Sequence, residues 1–417
     1  MINNLLNEDS QAMLLISSSL GITHNEKEKI KAYTLTEWNK LATKLLSSEL
    51  KSPKGFFHTS PDEWKSSLRM TDDEVERLKV LLNNGAQLAF ELDNLGSSGI
   101  WITTRAESNY PTLLKERLKQ KCPVFLYCAG NSSLFKTKGV GIVGSRDIDQ
   151  RGLDFTKMLS ARCTFDGYSI VSGGAKGVDS VAQDIALQND GTVISIVSDS
   201  MASKIRMKEN RESIMKNKLL MVSLAHPNMT FKVYNAMERN KYIYALSQFA
   251  VAVSSDYNKG GTWAGATEDL KNNWVPLFVR KEVGIPKGNS KLLEIGAFSL
   301  EKDEVLNRNV SIEDWLSKDR SNIHDANKEK QLTLKNIIDQ AKNIEQDGSK
   351  KTINPSNINA YQILKPYLIE DLNKEKTIDE LTTTFDVKKS QMQDWIERLL
   401  IENYIKKLLS PVRYIKA

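Results

Sequence analysis

From about residue 100 to residue 300 the chain alternates short apolar runs with segments of helix length: GIWIT, PVFLYC, VGIVG, SIVSG, TVISIVS, LLMVSL, AVAVSS and VPLFVR. A run that is apolar at nearly every position, rather than at every second one, suits a strand covered on both faces. Cover on both faces is the condition of a parallel sheet whose crossover helices lie on either side. The pattern predicts an α/β fold, a doubly wound, Rossmann-like, mostly parallel sheet over residues 96–301.

The rest of the chain falls around that sheet. Residues 1–95 carry helical periodicity, as in EWNKLATKLLSSEL and DDEVERLKVLLNNGAQLAFELDNL, interrupted at SPKGFFHTSP, and read as an N-terminal helical domain. Residues 302–352 turn charged and polar, with one amphipathic stretch at LTLKNIIDQAKNI, and read as a linker with one helix. Residues 353–417 have the outline of a winged helix: AYQILKPYLIEDL, then TIDELTTTF opened by a Thr377-x-x-Glu380 capping box, then KKSQMQDWIERLLIENY. YIKKLL and VRYIKA flank Ser410-Pro411 as the hairpin. Residues 351–417 hold 11 basic and 9 acidic side chains, a balance that leaves DNA contact and protein contact both open for this module.

Composition excludes several classes. Lys and Arg total 58 against 52 acids, a net charge of +6 that permits an anionic partner without demanding one. Cys122, Cys128 and Cys163 form no CxxC pair and have no histidine at metal spacing, so they read as buried thiols of a reduced compartment, with no metal expected. The start MINNLLNEDSQAMLL has no basic leader, and no apolar run approaches the roughly 20 residues of a membrane span, so a cytoplasmic location without a membrane span is expected. With four histidines and no Ser-His-Asp, Cys-His or paired-carboxylate pattern, no catalytic residue and no cofactor is assigned, and the chain reads as a binding protein rather than an enzyme.

The motifs sit at strand ends. GVGIVG, residues 139–144, matches GxGxxG, but its glycines lie inside a strand instead of opening a helix, which argues against a dinucleotide fold. Gly144, Ser145 and Arg146 follow the strand VGIV, and Ser172, Gly173, Gly174, Lys176 and Gly177 follow YSIV. Both turns then fall at the carboxyl edge where open α/β sheets bind ligands. Bare backbone lets N–H groups approach an anion, and the nearby cations add charge, so the pair reads as a phosphate cradle. Arg239, Asn240 and Lys241 are placed at a helix start, where cations oppose the helix dipole unless an anion is bound. Lys259, Gly260, Gly261 and Thr262 follow the strand AVAVSS and complete the set. Trp263 and Tyr242 are candidates for stacking on bases, against a core role for each.

These elements, in this order, resemble the DNA-processing protein A family (DprA or Smf). Its pattern of GSR, SGxAxGID, RNRxI, SGSLxTA and GxNxLIxxGA appears here as GSR, SGGAKGVDSVAQ, ERNKYI, GGTWAGA and GNSKLLEIGA. The upstream ESNYPTLLKE and PVFLYCAGN are also similar to the segment that precedes the family's sheet. The resemblance implies a homodimer that binds single-stranded DNA without sequence preference and helps load the RecA recombinase during uptake of transforming DNA. Departures are Gln183 for a histidine, Ala236-Met237 for Phe-Pro, Lys241 for an arginine, Gly260 and Gly265 for Ser and Thr, and Arg280-Lys281 for Pro-Gly. They leave room for a diverted relative that senses a nucleotide or foreign DNA in phage defence. GGTWAGATE is similar to the GGxGTxxE motif of phosphoribohydrolases, but one residue longer, which is expected to rotate Glu268 away from the pocket by about 100°.

Overall fold

The computed structural model of the chain describes residues 6–22, 30–230, 233–315 and, with short interruptions, 365–416. They form two compact units, Met1–Ala326 and Asn327–Ala417.

The first unit is built on a nine-stranded sheet of β1 (Trp101–Thr104), β2 (Phe125–Gly130), β3 (Gly139–Gly144), β4 (Ser169–Ser172), β5 (Val193–Ile196), β6 (Leu219–Ser223), β7 (Phe249–Ser254), β8 (Leu277–Arg280) and β9 (Phe298–Leu300). Their spatial order is β1-β2-β6-β5-β4-β3-β7-β8-β9. Every pair from β6 across to β9 is parallel. The apolar runs are continuous because alternate residues enter opposite layers: Val251 and Val253 join one core cluster, Ala250 and Ala252 the other, and all four are fully buried. The first two runs, GIWIT and PVFLYC, depart from the parallel expectation, since β1 pairs antiparallel with β2 and β2 with β6. The link 131–138 is shorter than the dozen or so residues a parallel neighbour requires, and β2 lies between β1 and β6 instead of beside β3.

Among the described residues, six helices precede the sheet: α1 (Glu8–Ser17), α2 (Leu35–Leu46), α3 (Gly55–His58), α4 (Pro61–Leu68), α5 (Asp72–Leu82) and α6 (Gly85–Ser97). Reciprocal capping boxes start three of them, Thr34 with Glu37, Ser60 with Glu63 and Thr71 with Glu74. Trp38, Leu41, Phe56, Trp64 and Leu78 form their own cluster, whereas Leu14, Leu15, Leu88 and Leu95 pack into the core of the sheet. The helices between strands are α7 (Thr112–Leu118), α8 (Gln150–Phe165), α9 (Val178–Gln188), α10 (Met201–Arg206), α11 (Lys208–Met215), α12 (Val233–Ala245), α13 (Gly260–Asn272) and α14 (Lys287–Glu294).

The charged segment expected as a linker from residue 302 begins with ordered structure. α15 (Lys302–Leu306) and the residues after it bury Val305, Ile312 and Trp315 against the sheet core. The reason lies in Arg162, whose guanidinium Nη1 donates to the carbonyls of Val305 (3.1 Å) and Asn307 (2.8 Å) and whose Nη2 donates to that of Val310 (2.5 Å). The remainder of the expected linker, including LTLKNIIDQAKNI, lies outside the described residues.

In the second unit α16 (Ile378–Phe385), α17 (Lys389–Ile401) and the antiparallel pair β10 (Ile405–Leu409) and β11 (Val412–Lys416) enclose Leu381, Trp395, Leu399 and Tyr414. Thr377 caps α16, donating its backbone N–H to Glu380 at 2.8 Å and accepting the Glu380 N–H at 3.3 Å. Most of AYQILKPYLIEDL lies outside the described residues.

Candidate functional site

The chain leaves β3 for β4, β5 and β6 on one side, then returns to place β7, β8 and β9 on the other. Order reverses between β3 and β7, and an open sheet of this kind holds ligands in the crevice beyond the carboxyl ends of the strands flanking that reversal. A cavity of about 380 Å³ lies there. Gly144, Ser145 and Arg146 line it from the β3 turn, Ala175 and Asp179 from the β4 turn and α9, Arg239, Asn240 and Tyr244 from α12, and Lys259, Gly260, Gly261 and Thr262 from the start of α13.

The two turns after β3 and β4 are locked to each other. Ser145 N donates to Ser254 O at 2.9 Å, and Val178 N donates to Ser145 O at 3.3 Å. Gly177 has φ +93, and a side chain there would run into the backbone of Ser145 and Arg146. Asp179 joins both turns from beneath, accepting the Gly173 N–H at 3.2 Å. Burial pushes its carboxyl up, while Arg239 and the N–H groups of Gly173, Ala175 and Gly144 pull it back down.

Arg239 is the centre of the cavity. It is 5% exposed, its guanidinium lies over the bare backbone of Gly173, and its Nη1 is 3.7 Å from Asp179 Oδ2. That is an ion pair without a hydrogen bond, and neither Nε nor Nη1 has a hydrogen-bond partner in the structure. Burial lowers its pKa from the ordinary value, Asp179 and Asp199 raise it, and the charge of Arg146 lowers it again. Arg146, Arg239 and Lys259 against Asp179 and Asp256 leave the lining one positive charge in excess, which favours an anion, and the planar fork of arginine suits a phosphate.

The helix that carries Arg239 is fastened beside that residue and at its carboxyl end. Asn240 Nδ2 donates to Gly261 O at 2.9 Å, fastening α12 to the start of α13, where Gly260 takes φ +76. Arg117 on α7 donates through Nη1 to the carbonyls of Ala245 (2.9 Å) and Ser247 and so caps the carboxyl end of α12. The first residues of α13 line the cavity and bring the positive end of a helix dipole to it.

Other expected residues stand elsewhere. Ser172 is buried and donates to Ile142 O at 2.7 Å. Gly173 supports Arg239 from below, and Gly174, with φ +61, abuts Gln183, which donates to Ser195 Oγ at 3.1 Å. Lys176 is exposed at the tip of the β4 turn, outside the cavity lining. Lys241 is a correction: it pairs with Glu238 at 2.5 Å and lines a separate cleft with Lys40, Lys121 and Glu268. α12 starts at Val233, so residues 239–241 are within a helix rather than at its start, and two residues on a helix are about 200° apart. The dipole argument for a ligand at that place therefore lapses, and a buried guanidinium with two nitrogens lacking hydrogen-bond partners replaces it. Glu268 lines the same separate cleft and pairs with Lys121 at 3.3 Å. Tyr242 is buried in the core, and Trp263, partly buried, packs edge-on against Tyr257 at 5.0 Å.

Asp179 and Tyr244 are site residues that sequence reasoning did not single out, and Asn289 is a supporting residue that it also missed. Asn289 accepts the Ser255 N–H at 2.8 Å and donates to Val253 O and Arg280 O, tying the ends of β7 and β8 together. The signal for Asp179 was its place in the first turn of the helix after the glycine-rich run. All three cysteines are buried, and burial pushes the Cys128 and Cys163 thiols up. Among the described residues no group of three His, Cys, Asp or Glu could hold a metal, and no helix is long and apolar enough to cross a membrane.

A family model described as DNA recombination-mediator protein A matches residues 101–310, which takes in the whole cavity. The DNA processing protein DprA of Streptococcus pneumoniae is 35% identical over 79 residues, 19% of this chain and 28% of that protein. The protein Smf of Synechocystis is 32% identical over 101 residues, 24% of this chain and 25% of that protein. The matched segments thus span about a quarter of these relatives' own length. Among solved structures, DNA processing protein A of S. pneumoniae aligns over 66% of this chain and 98% of its own at 20% identity, with a TM-score of 0.47. DNA processing protein A of Helicobacter pylori, described for its single-stranded DNA binding mode, aligns over 50% and 94% at 28% identity, with a TM-score of 0.42.

Proposed function

The chain belongs to the DNA recombination-mediator protein A family, and from that premise we propose that it binds single-stranded DNA without sequence preference through the cavity between β3 and β7. The observation that carries this reading is the buried Arg239 guanidinium, with two nitrogens lacking partners, at the meeting point of glycine turns, Arg146 and a helix start. Such donors hold a phosphate irrespective of the base attached to it.

The protein acts by binding rather than catalysis. Glu268, the acid a phosphoribohydrolase would use, is engaged with Lys121 in a different cleft. α16, α17 and the β10–β11 hairpin serve as a winged helix. The active form is a homodimer that hands its strand to a RecA-type recombinase during uptake or recombination of DNA.

The test is a titration with oligo(dT), a mixed single strand, duplex DNA and free nucleotides at several salt concentrations. Both single strands should bind equally well and more tightly than duplex, with log affinity falling linearly against log salt. Binding confined to free nucleotides would replace this reading with that of a nucleotide sensor.

A further inference from the structure

We infer that Tyr244 is a ligand-contacting residue, its phenol donating a hydrogen bond to an anionic oxygen held by Arg239. The inference rests on the cavity being the anion site and adds a donor that no motif marks. Tyr244 follows Asn240 by four positions on α12, which puts the two on one helix face, and both line the cavity. The residue is 1% exposed, and its Oη is buried without a hydrogen-bond partner in the structure. A buried tyrosine hydroxyl normally finds a partner, and one without costs free energy that a ligand can recover.

The ring has a place made for it. A Cβ at residue 265 would lie 3.1 Å from Tyr244 Cε2 and 3.4 Å from its Oη, so the phenol fills the space that a side chain at 265 would take. Gly265 stands where the related pattern has threonine, and the tyrosine brings a hydroxyl back to the spot where that one is missing. Burial raises the phenol's pKa, keeping it a proton donor. The neighbouring Asp269, its Oδ2 also without a hydrogen-bond partner, is pushed up to about 8 by burial, so it adds little negative charge beside the phenol at neutral pH.

Tyr244→Phe in the full chain tests the inference, because it removes one oxygen and keeps the ring. Oligo(dT) affinity should fall about tenfold at every salt concentration, as for loss of a hydrogen bond to a charged group. The slope of log affinity against log salt should stay as in the parent, since no cation is removed. The urea midpoint without DNA should hold or rise, because a buried unpartnered hydroxyl has gone. Unchanged affinity would overturn the inference. So would affinity and stability falling together, which marks a structural role, or a changed slope, which marks a displaced Arg239. Arg146→Ala measured alongside separates the two claims: if it weakens binding and Tyr244→Phe does not, only the role of Tyr244 falls, and if neither does, the site itself is wrong.

Discussion

Arg239 and Asp179 face each other at 3.7 Å, both nearly inaccessible, in an ion pair that leaves the guanidinium donors largely unspent. Asp179 stabilises the buried cation and knits the β3 and β4 turns, while Arg239 keeps capacity for a further acceptor. Asp179→Asn should destabilise the protein by about 3 kcal/mol, as removal of one partner leaves a buried charge uncompensated. Urea denaturation of the parent and variant measures it.

Gly173→Ala is expected to be more damaging to binding than its size suggests. A methyl group at 173 would sit on the Arg239 guanidinium, which must move out of the cavity. Oligo(dT) affinity should drop at least as far as in Arg239→Ala, with the helical circular dichroism spectrum retained.

Lys241→Ala should leave oligo(dT) affinity within about twofold of the parent, because its ammonium is held by Glu238 in the cleft that Lys121 and Glu268 share. Fluorescence anisotropy at matched salt decides this, and a tenfold loss would return Lys241 to the binding surface.

How much the sequence disclosed depended on where each residue found its partner. Parallel strands covered on both faces write themselves as continuous apolar runs, so β3 to β8 were legible, and so were the turns at their ends. The antiparallel edge was not, because β1 and β2 carry the same kind of run and only the short link 131–138 distinguishes them. Lys241 was misplaced because nothing in the sequence marks Val233 as a helix start, which made residues 239–241 look like one cluster. Val305, Ile312 and Trp315 were hidden among charges, and their anchor is an arginine that binds backbone carbonyls, an interaction with no side-chain signature.

The pH dependence of stability has a contribution with a definite sign. Asp269, buried, is pushed up from 3.8 to about 8, so between these values the folded chain holds a proton that the unfolded chain has released. Stability from this group is fully present below about pH 4, declines as pH rises, and is exhausted near pH 8. Asp269→Asn keeps an acceptor for the Val275 N–H and should flatten that decline. Urea midpoints of parent and variant at pH 5, 6, 7 and 8 check it, and parallel curves would contradict it.

The most direct measurement of the central claim is the salt dependence of oligo(dT) binding for the parent, Arg146→Ala and Arg239→Ala. The account predicts that each variant binds more weakly whatever the base composition, and that each lowers the slope of log affinity against log salt by roughly 0.7 for every phosphate the variant no longer neutralises. Slopes and affinities equal to the parent's in both variants would show that the cavity between β3 and β7 does not hold the strand.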